Sequence, residues 1–137
     1  MSGIPARVIV LDPDFEHDGG HNYVTNQILA SYLRRPVQIA CPVTLPSDVR
    51  VDGTELHRCF PGNSYVRGVP PRGNLHRVAD TVSRLLQRQP GYLQQREKFI
   101  AALLDYFQAH RISRDDAILV HTGSTFVFDV LLAALES

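Results

Sequence analysis

A chain of 137 residues has room for a single domain with a real core. Its charges balance at 14 Lys and Arg against 14 Asp and Glu. The basic surplus by which duplex-binding modules neutralise phosphate is therefore missing, and nucleic acid is not an expected partner. No stretch approaches the roughly 20 apolar residues of a bilayer span, and the N-terminus lacks the apolar run of a signal peptide, so the expected location is cytoplasmic.

Ala6–Leu11 (ARVIVL) is a β-branched run closed by Asp12–Pro13, the pattern of a strand buried on both faces. Beyond it, Val24, Ile28, Leu29, Tyr32 and Leu33 recur at helical spacing and predict an amphipathic helix with that stripe inward and Asn22 as its cap. Pro36 stops this helix, and Val37–Cys41 (VQIAC) is a second strand. Strand, helix and strand in about forty residues make a βαβ unit with parallel strands. Glu55–Phe60 (ELHRCF) alternates and predicts a third, more exposed strand. Cys41 and Cys59, with no CxxC pair, read as core thiols of a reducing compartment.

The segment 61–74 is rich in Gly, Pro and Arg, and a loop this long is either functional or disordered. Leu75, Val78, Ala79, Val82, Leu85 and Leu86 then share a helical face with Asn74 as cap. Pro90–Gly91 interrupts the run, and Phe99, Ile100, Leu103, Leu104 and Phe107 predict another helix. Ala117–His121 (AILVH) is the last strand, followed through Thr122–Gly123–Ser124 by a helix with Phe126, Phe128, Val130, Leu131, Leu132 and Leu135. That helix is apolar nearly all round and calls for cover on more than one side. The cover expected is the remainder of a longer parent protein or a second copy, through the last helix or the sheet edge.

Chemistry is expected on the loop Asp18–Gly19–Gly20–His21 after the first strand. In an open parallel sheet, ligands bind at the carboxyl ends of the strands, where the first strand borders the crossover point. Paired glycines let backbone approach a ligand closely, and the following helix start offers N–H groups to a phosphate or sugar hydroxyl. His121 at the end of the last strand is a candidate hydrogen-bond donor or general base, or else a packed histidine. Ser124 makes no hydrolase triad with it, for there is no G-x-S-x-G elbow. Tyr65, Arg67, Arg72 and Arg77 suit a loop closing over an anionic acceptor, or simply a solvated one. Asp12, Asp14, Glu16, His17, Asp18 and His21 supply metal-ligand types, but in no established spacing, and no metal site is expected.

The strand followed by "DPDFEHDGGHNYVTNQILASYL" resembles the opening of GT-B glycosyltransferases, especially the retaining group related to sucrose and mannosyl transferases. "RDDAILVHTGSTFVFDVLLAALES" is similar to their next landmark, a strand ending in histidine before a leucine-rich helix. The resemblance spans nearly the whole chain and implies a Rossmann-like three-layer α/β domain with a mainly parallel sheet of about four strands. It further implies an acceptor-side domain whose glycine pair, Gly19 and Gly20, lies near the donor phosphates. His21 and Asn22 would face the cleft, His121 would line the acceptor side, and Thr122 and Ser124 would complete the binding set. The family's donor-binding domain, with its glutamate-rich motif, has no counterpart here. On this resemblance residues 1–137 are part of a sugar transferase, inactive alone, with the missing C-terminal domain as partner. The nucleotide sugar is then a co-substrate of the parent, a small molecule or glycan is the acceptor, and this portion binds no cofactor. Two other readings stay open: a small flavodoxin-like ligand-binding or regulatory domain, and a metal-dependent hydrolase built on the acidic loop.

Overall fold

The structure is a computed structural model and describes residues 3–64, 90–120 and 125–137. Four strands, β1 (Val8–Leu11), β2 (Val37–Pro42), β3 (Thr54–Phe60) and β4 (Ala117–Leu119), form one sheet in the order β3-β2-β1-β4. Every pairing is parallel, with Val8 opposite Val37 and Ala117, and Val37 opposite Thr54. The helices among the described residues are α1 (His21–Tyr32), α2 (Pro90–Ala109) and α3 (Thr125–Leu135). The α/β class and the parallel sheet are thus as the residue pattern predicts. The order matches the 3-2-1-4 half of a Rossmann sheet and differs from the 2-1-3 order of flavodoxin, which counts against the flavodoxin-like reading.

The sheet is buried on both faces, which is why VIVL runs apolar without alternation. Ile9, Leu11 and Ala40 meet Phe99, Leu103, Phe126 and Val130 of α2 and α3. Val8, Val10, Val37 and Ile39 meet Phe15, Leu45, Val49 and Val51, with Tyr23 and Ala30 of α1 and Leu33 at its C-terminal cap against them. The result is three layers. Both cysteines are free. Burial pushes the Cys41 thiol up to about 11 and the Cys59 thiol up to about 12, as expected of packed thiols. No helix among the described residues is long and apolar enough to cross a membrane.

Two expectations need correction. The predicted α1 stripe is rotated: Val24, Ile28 and Tyr32 are exposed, whereas Asn26 is buried and Tyr23, Ala30 and Leu33 are partly so. A buried carboxylate at the β1 tip requires amide donors, and this decides the inward face over apolar spacing. The helix is also capped by Gly20, without a side-chain cap bond, and not by Asn22. Within this chain α3 is covered on one side through Phe126, Val127, Val130 and Ala134, and Phe128, Leu132 and Leu135 are exposed, the face for which cover from elsewhere is expected. The segment carrying Leu75–Leu86 lies outside the described residues.

Candidate functional site

β1 delivers the chain at its carboxyl end into Asp12, whose N–H donates to the Ala40 carbonyl at 2.9 Å. Asp12 is fully buried. Its two oxygens accept from Asn22 Nδ2 at 2.7 Å and Asn26 Nδ2 at 2.8 Å, so one carboxylate pins the first two turns of α1 to the strand tip. Phe15, also fully buried, anchors the middle of the loop in the core beneath α1, its ring 6.2 Å from that of Tyr23. Burying such a side chain stabilises the loop by about 2–3 kcal/mol.

The remaining carboxylates reach sideways. Asp14 accepts from the Ser64 N–H at 2.7 Å and from Ser64 Oγ at 2.8 Å, and Glu16 accepts from Asn63 Nδ2 at 2.7 Å. Asn63 and Ser64 follow β3, and the Asn63 carbonyl accepts from Gln95 Nε2 of α2 at 3.2 Å. The loop after β1 is thereby tied across the strand tips to the segment after β3 and to α2. Asp12, Asp14 and Glu16 serve three different partners, and among the described residues no three His, Cys, Asp or Glu side chains are placed to hold a metal ion.

At the end of the loop the Gly19 N–H donates to His17 Nδ1 at 3.1 Å. Gly20 has φ −100° and ψ 173°, extended backbone open to any residue, so conformation does not demand glycine there. A Cβ on Gly20 would fall 2.8 Å from His17 Cε1, so a larger residue there displaces the exposed His17 ring. The close approach inferred for the glycine pair is therefore made by the chain's own imidazole. His21 opens α1 and is exposed, and Asn22, half-buried, turns to Asp12. The N–H groups of the first α1 turn receive no side-chain cap from Gly20, which leaves the helix end suited to an anion or a sugar oxygen.

The structure brings Gly19, Gly20, His21 and Asn22 together at the β1 tip. His121, Thr122 and Ser124 lie outside the described residues, as do Tyr65, Arg67, Arg72 and Arg77. β4 nonetheless pairs with β1, Leu119 opposite Val10, so the last described residue before that segment, Val120, follows the strand neighbouring the site. Sequence reasoning missed Phe15, Asn26, Asn63 and Ser64. An aromatic residue inside an otherwise polar loop, and two asparagines four apart after Asp12, were the available signals.

No protein-family model matches this chain, and neither does a curated protein or a solved structure.

Proposed function

We propose that this chain is the acceptor-side domain of a GT-B glycosyltransferase, a part of a larger enzyme that moves a sugar from a nucleotide sugar to an acceptor. One observation carries the reading. The glycine pair and the uncapped start of α1 stand at the carboxyl end of β1, in a parallel sheet whose order places β1 between β2 and β4. That is where an α/β sheet of this order receives its ligand. In this reading the α1 N-terminus and the Gly19 and Gly20 backbone meet donor phosphate or sugar oxygens, and His21 flanks them. Stabilising a departing diphosphate by helix N–H groups and basic side chains requires no metal. The acceptor-side roles that the resemblance gives His121, Thr122, Ser124, Tyr65, Arg67 and Arg72 fall on residues outside those described. The exposed stripe Phe128, Leu132 and Leu135 is the face on which the rest of the enzyme, or a second copy, packs.

The test is a titration of the ¹⁵N-labelled chain with millimolar uridine diphosphate, followed by amide shifts. Changes concentrated at residues 19–22 support the reading. Amides of that loop that stay fixed at saturating concentration overturn it.

A further inference from the structure

A second cluster of titratable groups sits at the other end of α2, away from the loop. His57 of β3 stacks on His110, just after α2, with ring centroids 4.0 Å apart and planes 13° from parallel. His57 Nδ1 lies 3.0 Å from Tyr106 Oη, and its Nε2 lies 3.1 Å from Glu55 Oε2. One protonation state satisfies both contacts with a neutral ring: Nε2–H donates to the carboxylate, and the tyrosine hydroxyl donates to Nδ1. We propose that the His57–His110 stack is an acid-sensitive lock that fastens the C-terminal end of α2 to the edge strand β3 and releases it when His57 takes up a proton.

The geometry explains the release. A proton added at Nδ1 obliges His57 to donate to Tyr106, so the hydroxyl loses its acceptor. It also creates a cation facing a second imidazole across 4.0 Å. The groups that face the pair come from several elements: Glu55 of β3, Cys41 of β2 at the His57 carbonyl, Arg7 just before β1 with Asp116 behind it, and Tyr106 on α2. Glu55 favours the His57 cation, but its side chain is 70% exposed and water-screened. Arg7 opposes it; its guanidinium is held by Asp116 and by the carbonyls of His110 and Arg111. Burial, followed by His110, holds the His57 pKa below the ordinary histidine value, against the pull of Glu55. The lowered pKa means that the folded state resists the proton. The stability from the neutral stack is complete above the ordinary histidine range and is lost as pH falls through it toward the folded pKa.

The lock has a route to the loop. α2 runs from His110 back to Gln95, which donates to Asn63, which in turn donates to Glu16. Acid release of α2 therefore slackens the loop after β1; what this does to a bound ligand rests on the sugar-transfer reading, whereas the lock itself does not.

Amide hydrogen exchange of the full chain at about pH 7.5 and about pH 5, corrected for intrinsic rates, tests the lock without any ligand. The expected result is opening of residues 104–112 that rises by on the order of tenfold or more at the lower pH, with the sheet centre unchanged. His110→Gln and His57→Gln should each abolish that rise. Should His57→Gln fail to fold, His110→Gln decides, because its backbone bonds to Arg7 are retained. Equal protection of residues 104–112 at both pH values, or a full acid response in His110→Gln, overturns the proposal.

Discussion

Replacing Asp12 by alanine isolates what holds the loop in place. The carboxylate is fully buried and accepts from Asn22 and Asn26, and Asn26 is itself 1% exposed. A hydrogen bond to a charged group contributes about 1.5–3 kcal/mol, and a buried amide that loses this partner costs about 1–3 kcal/mol. Water replaces the bond to half-exposed Asn22 and returns part of the loss. The net effect expected for Asp12→Ala is about 3–4 kcal/mol, a large share of a stability of roughly 5–15 kcal/mol. At this chain length that lowers Tm by about 10–15 °C. Urea unfolding followed by far-ultraviolet circular dichroism measures it, with Asn22→Ala, at about 1 kcal/mol, as the comparison. A cycle of Asp12→Ala with Asn26→Ala should show coupling of about 1–2 kcal/mol. The reasoning is refuted if Asp12→Ala stays within about 0.5 kcal/mol of the parent, or if Asn22→Ala is equally damaging.

Gly20→Ala should displace the His17 ring and weaken loop order while leaving helix content unchanged, because the Gly20 backbone suits any residue. Adding His17→Ala removes the clash, so amide shifts at residues 19–22 return toward the parent's; a double variant as perturbed as the single one contradicts this. Asp116 is held below the usual carboxylate range chiefly by its bond to Arg7. Its contribution is thus complete above the ordinary aspartate pKa and disappears as pH falls through the folded one. Asp116→Asn should flatten the stability-against-pH curve in that acid window and leave its slope near neutrality alone, as acid titration by fluorescence or circular dichroism will show. Leu103→Ala in the core should cost about 2–5 kcal/mol, while Leu132→Glu on the exposed stripe should stay within about 0.5 kcal/mol by the same unfolding assay.

The sheet was legible because its two central strands, β1 and β2, are buried on both faces. VIVL and VQIAC carry no alternation and admit few other structures, and Pro36 marks where the α1–β2 turn falls. The face of α1 was not legible. Val24, Ile28 and Tyr32 give a clean helical stripe, yet the chain turns Asn22 and Asn26 inward to serve Asp12, a requirement visible only once the strand tip is placed. Pro90 shows a milder version. Taken as an interruption, it is the first residue of α2, where a missing N–H costs nothing. The position of the glycine loop followed from order along the chain, but its sideways ties did not. Asp14 to Ser64 and Glu16 to Asn63 join residues about fifty apart, and no local pattern encodes such a pairing. The stacked histidines are 53 positions apart and belong to the same class of contact, set by the strand order that brings β3 beneath α2.

The electrostatics of the loop set a last demand on the sugar-transfer reading. A helix N-terminus attracts anions, yet Asp12 stands against the first turns of this one and opposes them. If the Gly19–Gly20 backbone receives phosphate oxygens, deleting that charge without changing shape must strengthen the attraction. Asp12→Asn is therefore expected to move two quantities in opposite directions. Stability falls, by about 1–2 kcal/mol, because an amide accepts through one oxygen where the carboxylate used two. Affinity for inorganic pyrophosphate rises, roughly fivefold, the worth of removing one like charge at about 4–8 Å under partial screening. Amide-shift titration at low salt measures the second change and urea unfolding the first. A loop merely disordered by the substitution loses affinity along with stability. Pyrophosphate affinity that stays unchanged while stability falls would instead remove phosphate from the α1 N-terminus and leave that end of the sheet to a neutral, hydroxyl-rich acceptor.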